Sequence, residues 1–298
     1  MDSFEKEINS TFLKLNIPLV DYGITSSNSI SLEGIFRNPE FPNLSQNRNQ
    51  LFRMASMTKP ITAYLTLAVL DENKIGLNEN VGTYLPEIND LKIACKEGSI
   101  IKYKKNDVPI SFHHLLSCTS GHAYEHHDPI VSELVSKKEV APMKKGDDSF
   151  LKAPLVFEPG SRWGYGISYG WLGKAIEAIS GVSLDENLKK YLCNPLELEQ
   201  TSFNPSQSSR NTLAPVYFRD SDGAYSNISS KITIGLNPFQ YGGGGLTSTL
   251  IDYLKILRFL LNSMKLDTRR SFVPQIFRNQ IGNLGIPSLK SFNKGLAS

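Results

Sequence analysis

Apolar residues at Phe4, Ile8, Phe12 and Leu15 recur at helical spacing, which predicts an amphipathic surface helix over residues 3–16. The stretch Leu19 to Phe36 reads as a β-hairpin with Ser26 to Ser29 at its turn. From Pro60 to Leu70 the chain carries no charge, so a buried helix is expected over 56–72. Between about 76 and 235 short helical runs, Tyr169 to Ile179 among them, alternate with long polar loops. Leu236-Asn237-Pro238 then reads as a loop, because Asn-Pro favours a turn. Thr249-x-x-Asp252 is a capping pattern for a helix over Leu250 to Met264. No internal repeat or low-complexity linker interrupts the chain. The expected organisation is therefore interleaved: residues 1–75 plus 236–298 as one lobe, with a mainly helical lobe over 76–235.

Composition narrows the class. A chain of 298 residues with 40% hydrophobic and 20% charged content is long enough to bury a large core. A net charge of +3 is too small to suggest a nucleic-acid partner. The clusters Lys102-Lys104-Lys105, Lys137-Lys138 and Lys144-Lys145 read as solvated loops. The apolar runs fall short of the roughly twenty residues of a membrane span. Met1 to Lys6 lacks the features of a signal peptide. Three cysteines, Cys95, Cys118 and Cys193, without paired spacing fit a reducing compartment, so a cytoplasmic location is expected. Cys118 reads as a small buried hydrophobe. All five histidines lie between His113 and His127. His122 and His126 would share a helix face and so are a conceivable metal pair, but Gly121 and Pro129 make the stretch loop-like. No metal and no cofactor are expected.

The candidate chemistry sits at the start of the uncharged helix. Ser56 and Lys59 stand one turn apart in Leu51-Phe52-Arg53-Met54-Ala55-Ser56-Met57-Thr58-Lys59-Pro60. A serine hydroxyl becomes a good nucleophile when a neighbouring base takes its proton. A lysine serves as that base when burial or nearby positive charge depresses its pKa. The Ser-x-x-Lys spacing occurs five times, from Ser3, Ser56, Ser99, Ser149 and Ser291, and the Ser56 copy alone opens a long apolar helix. On this segment alone, a helix cap with an exposed lysine is an equal reading.

The wider pattern resembles the serine β-lactamase-related family, whose nucleophile motif is Ser-x-x-Lys. That family takes in class C β-lactamases, penicillin-binding proteins, bacterial esterases and the fungal lovastatin-type acyltransferases. Supporting segments follow in order: Gly76-Leu77 with Val81 to Glu87, then His114-Leu115-Leu116-Ser117-Cys118-Thr119-Ser120-Gly121, with Cys118 where histidine is usual. Pro159 to Gly166 with Leu172-Gly173 resembles the family's tyrosine motif, and Gly242 to Thr249 with Asp252-Tyr253 its glycine-run segment. The resemblance spans about residues 18 to 285. It implies an α/β (α+β) fold of β-lactamase/transpeptidase type, an antiparallel sheet flanked by helices with an inserted helical lobe and the site between the lobes.

The resemblance also implies Ser56 as nucleophile, Lys59 as its base and Tyr165 as the proton shuttle. Tyr225-Ser226-Asn227 matches the family's Tyr-x-Asn literally but follows a turn-forming run; Tyr169 reads as a packing residue. At Tyr165-Gly166-Ile167 the polar amide that β-lactamases and peptidases use is replaced by Ile167. Tyr165-Gly166-Ile167-Ser168 is similar to the acyltransferase branch. Esters or thioesters, small molecules, are thus expected to rank above β-lactams. A catalytically impaired family member, or a true β-lactamase or D-amino-acid peptidase, are the other readings. Neither Lys-Thr-Gly nor His-x-Gly, the family's third motif and source of a second oxyanion donor, occurs in the chain. The sheet is accordingly expected to be incomplete at the C-terminus, with weak activity and self-association through a bare strand edge.

Overall fold

The computed structural model describes residues 2–143, 146–232, 238–263 and 273–287. Helix α1 (Asp2–Lys14) precedes the hairpin of β1 (Leu19–Thr25) and β2 (Ile30–Arg37). The strands pair antiparallel from Leu19 opposite Arg37 to Ile24 opposite Leu32, and Ser26 N–H donates to Ser29 O across the turn. Phe12 of α1 packs on Phe36 and Tyr22, their ring centroids 5.4 and 6.1 Å away. The helix and hairpin fall where the apolar pattern put them, within two residues at each end.

The two-residue strand β3 (Phe52–Arg53) leads through a 3₁₀ turn, Ala55–Met57, into helix α2 (Thr58–Glu72). The turn differs from the continuous helix expected from Ser56: Ala55 adopts φ of 44°, a left-handed conformation that a non-glycine residue rarely takes. Eleven residues of α2 are buried, Lys59 among them. No polar face remains, because α2 is enclosed on several sides. Ile61, Tyr64, Leu65 and Ala68 pack with Ile176, Leu188, Tyr253 and Ile256, while Leu70 joins Ile88, Phe112, Leu115 and Trp171 in a second cluster.

Strands β4 (Ile93–Glu97) and β5 (Ile100–Lys104) form a second hairpin, so Lys102 and Lys104 lie on a strand rather than in the loop expected for them. The lysine-rich composition hid an exposed strand whose side chains face water on both sides. Helices α3 (Phe112–Leu116), α4 (Pro129–Ser136) and α5 (Ser168–Ser180) follow. After α6 (Leu184–Leu188), a π-helical turn Lys189–Cys193 runs into α7 (Asn194–Leu196). Next come α8 (Gln207–Arg210) and a third hairpin, β6 (Tyr217–Arg219) with β7 (Tyr225–Asn227).

Strand β8 (Thr247–Ser248) pairs antiparallel with β3, Phe52 opposite Ser248 and Arg53 opposite Thr247. Helix α9 (Leu250–Ser263) begins as the capping pattern predicts, Thr249 Oγ1 accepting from Asp252 N–H at 3.3 Å. It lies across the first hairpin so closely that a Cβ on Gly23 would sit 2.6 Å from Leu254. Among the described residues the sheets are all two-stranded and antiparallel. Met264, the Lys144-Lys145 pair, Leu236-Asn237 and the Ser291 copy of Ser-x-x-Lys lie outside the described residues.

Candidate active site

Four separate stretches of chain meet at Ser56. The β3–β8 pairing brings the glycine run Gly242–Gly245 against the start of α2, and Met54 N–H donates to Leu246 O at 2.9 Å. Thr62 Oγ1 donates to Gly242 O at 2.7 Å, and Thr58 Oγ1 accepts from Leu246 N–H at 3.2 Å. The approach requires glycine: a Cβ on Gly242 would stand 2.5 Å from Tyr169 O. This docking places the Gly243 carbonyl over α2, where it accepts from Lys59 Nζ at 2.7 Å.

Lys59 Nζ also donates to Ser56 Oγ at 3.0 Å, and Tyr165 OH donates to the same oxygen at 2.6 Å. The three residues expected from the sequence are therefore brought into direct contact. Ser56 is exposed, Tyr165 half-buried and Lys59 only 8% exposed. A serine oxygen has two lone pairs, and both are occupied here, so the hydroxyl proton points away from Lys59 and Tyr165. Two donors converging on Oγ favour the alkoxide over the alcohol.

Lys59 is ringed by phenols. Its Nζ lies 4.8 Å from the Tyr165 ring centroid, 5.5 Å from Tyr124 and 6.0 Å from Tyr169. The depressed pKa expected of Lys59 is not what this setting produces. Burial pulls it down, but the hydroxyls of Tyr124 and Tyr165 pull it up and prevail, leaving it above the ordinary lysine value. Lys59 is thus an ammonium at neutral pH. Tyr124 OH and Tyr241 OH share a buried hydrogen bond of 2.7 Å. Burial first, and the neighbouring Tyr241 next, keep Tyr124 well above the usual phenol range.

The loop that carries Tyr165 is fixed from beneath. Gly164 N–H donates to Cys118 O at 2.8 Å. Gly166 lies flat on the chain at His122, where a Cβ would stand 2.3 Å from His122 O. His122 Nδ1 is 2.9 Å from Ser120 Oγ, which is 2.8 Å from Ser168 Oγ at the start of α5. Burial pushes the His122 pKa down to about 3, so the imidazole is neutral. The stretch is loop-like as expected, yet His122 within it is buried, while His126 stacks on Tyr124 with centroids 5.0 Å apart. Cys118 is buried as expected, at φ of 57°, and burial raises its thiol to about 11.

The competing tyrosines separate cleanly. Tyr225 sits on the third hairpin with its ring 5.8 Å from Phe41, an aromatic surface contact. Tyr169 is buried on α5, its OH donating to Leu116 O at 2.9 Å. Ile167 is buried in one cluster with Val131 and Phe150. Tyr124, Tyr241 and the Gly243 carbonyl were not anticipated as members of the site. Tyr241 directly precedes the glycine run, which is a usable cue; nothing in its spacing marks Tyr124.

With Ser56, Lys59 and Tyr165 assembled on this frame, the chain belongs to the β-lactamase family, whose model matches residues 43–287. It is 28% identical over 237 residues to the ML-236A carboxylate methylbutanoyltransferase mlcH of Penicillium citrinum, covering 76% of this chain and 55% of that one. The acyltransferase mokF of Monascus pilosus is 28% identical over 216 residues, covering 70% and 52%. A LovD6 mutant of simvastatin synthase from Aspergillus terreus shares the fold with a TM-score of 0.78 at 23% identity, over 92% of this chain and 70% of that one. The fold is thus β-lactamase/transpeptidase-like, mixing helices with small antiparallel sheets. The chain spans just over half the length of these two sequence relatives. Among the described residues no helix is long and apolar enough to cross a membrane.

Proposed function

We propose that the chain transfers or hydrolyses acyl groups of small-molecule esters or thioesters through an acyl-Ser56 intermediate. The observation that carries this reading is the convergence of Lys59 Nζ and Tyr165 OH on one exposed serine oxygen. The names of the relatives, a methylbutanoyltransferase and an acyltransferase, agree with it. In this reading residues 1–75 supply Ser56 and Lys59, residues 76–235 supply Tyr165, and residues 236–298 supply the Gly243 carbonyl, so the site lies where the three stretches join.

The Lys59 ammonium first sheds one proton to solvent. Ser56 Oγ then attacks the substrate carbonyl carbon; the Oγ–C bond forms, and the π electrons pass to the carbonyl oxygen. Lys59 takes the Ser56 proton, and Tyr165 passes a proton to the departing alcohol or thiol as its bond to carbon breaks. Water or an acceptor alcohol then attacks the acyl-enzyme in the reverse sense. The Ser56 backbone N–H serves as one oxyanion donor. Esters and thioesters are favoured over β-lactams because Ile167 is an apolar, buried side chain that offers no amide.

Trapping tests this directly. Rapid acid quench after mixing with an activated ester should leave a protein heavier by one acyl group, mapped by peptide mass to Ser56 and absent in Ser56→Ala. An acyl group on another residue, or none under any ester, overturns the reading.

A further inference from the structure

The face of α2 that starts at Lys59 lines a cavity of about 310 Å³, within the size range of small-molecule sites. Lys59, Ala63 and Leu67 stand four residues apart, stacked on one face of the helix. Leu116, Ile276 and Ile281 form other parts of the wall. At 1.5 Å per residue the wall from Lys59 to Leu67 runs for about 12 Å. An extended chain advances about 1.2 Å per bond, since a residue of three bonds spans roughly 3.3–3.6 Å, so about ten bonds fit that length.

The cavity adjoins the site. Lys59 and Tyr169 both line it, and both belong to the cluster around Ser56: the Tyr169 ring is 6.0 Å from Lys59 Nζ, which is 3.0 Å from Ser56 Oγ. A carbonyl bonded to Ser56 has Lys59 beside it, and from Lys59 the cavity leads off between mainly apolar walls, with His113, Ser117, Gln275 and Gln280 as its polar members. We propose that this cavity receives the hydrocarbon tail of a medium-chain acyl group, of about eight to ten carbons, whose carbonyl is attacked by Ser56. The inference rests on the acyl-Ser56 reading and extends it from esters in general to a defined acyl-chain length. Lys59 lines the cavity, and its ammonium, relieved of its Ser56 bond in Ser56→Ala, suits the carboxylate of a free fatty acid, which gives a probe independent of turnover.

The probe is sodium decanoate, below its micelle concentration, titrated calorimetrically into the 298-residue Ser56→Ala chain beside sodium butyrate. Burying a methylene strengthens binding about threefold to fourfold, so decanoate should bind at least about a hundredfold more tightly than butyrate. Ala63→Leu and Leu67→Phe narrow the slot and should each remove that advantage; thermal melts identify which variant is folded, and either one suffices. In the otherwise unaltered chain, kcat/KM on p-nitrophenyl esters should climb about threefold to fourfold per methylene and level off near eight to ten carbons. Equal binding of the two acids, or decanoate binding undiminished in a folded slot variant, overturns the proposal. If decanoate binds yet no ester acylates Ser56, the acyl-Ser56 reading fails and the slot stands. If Ser56 is acylated equally by all chain lengths and decanoate does not bind, the slot fails and the acyl-Ser56 reading stands.

Discussion

Ser56-Met57-Thr58-Lys59 and Ser149-Phe150-Leu151-Lys152 share one spacing, and both begin on 3₁₀ turns. Their surroundings set them apart. Ser149 Oγ donates to the Asp147 carboxylate two residues back, and Lys152 is exposed to water. Ser56 Oγ instead accepts from Tyr165, 109 positions along, and Lys59 donates to Gly243, 184 positions along. The local turn is common to both. The difference is made by burial of the lysine and by partners from remote parts of the chain, so the tetrapeptide acquires its chemistry from tertiary structure.

The largest expected effects break that contrast at the serines and their partners. A fluorophosphonate probe should label Ser56 and leave Ser149 bare, as read by peptide mapping. Lys59→Ala and Tyr165→Phe should each cut ester kcat/KM by about a hundredfold to ten-thousandfold, whereas Ser149→Ala and Lys152→Ala should leave it unchanged. Label on Ser149 with Ser56 unmodified would invert the assignment.

Substrate choice comes next in size. A missing buried hydrogen-bond partner costs about 1–3 kcal/mol, so an activated ester should be preferred over a chromogenic cephalosporin by roughly ten to a hundred fold in kcat/KM. A clear preference for the cephalosporin would refute the role given to Ile167.

A smaller effect concerns the charge of Lys59. Its pKa lies above the ordinary value, and the competent form is the amine, so kcat/KM should rise with pH through neutrality and into the alkaline range. Tyr124→Phe removes one of the groups that raise the Lys59 pKa and leaves burial, which lowers it. The rising limb should move to lower pH; an unmoved or alkaline-shifted limb would show that Tyr124 does not govern the lysine.

The last test concerns the support beneath Tyr165, for which the Ser149 turn has no counterpart. The folded pKa of His122 is lowered from 6.5 to about 3. Between these values the unfolded chain binds a proton that the native protein refuses, so stability falls as pH drops from 6.5 toward 3, by about 1.4 kcal/mol per pH unit. His122→Asn keeps a polar partner for Ser120 and should flatten that slope in denaturant titrations at pH 7, 6 and 5. A slope unaffected by the substitution would show that other groups cause it.

Much of this was legible in the chain. Helix α1, the first hairpin and α9 follow from apolar periodicity and a cap, because each forms from local contacts. Ser56 and Lys59 stood out as a pair because the helix behind them carries no charge, but a capped helix read equally well there, and it was the resemblance to the family that singled out this pair and Tyr165. The 3₁₀ entry at Ala55 was not, because a left-handed alanine is imposed by the β3–β8 pairing and has no local signature. The direction of the Lys59 pKa was equally hidden: it depends on Tyr124, 65 positions away in sequence, whose ring reaches Lys59 only when the chain from Cys118 folds back over α2. That Ile167 carries no amide could be read directly from the chain, whereas its burial in one cluster with Phe150 required the fold.

The link between Lys59 and Gly243 also has a bearing on timing. During synthesis Ser56 and Lys59 leave the ribosome long before the residues that complete their surroundings. At about 5–20 residues per second, the roughly 190 residues from Lys59 to Ser248 take on the order of 10–40 s to appear. Until then the nascent chain holds an apolar helix without its cover and a serine without its tyrosine or glycine run. Under the acyl-Ser56 proposal, reactivity at Ser56 switches on late, once residues near 248 have emerged and β8 has found β3, and a nascent chain stalled earlier should be silent toward a serine-directed probe.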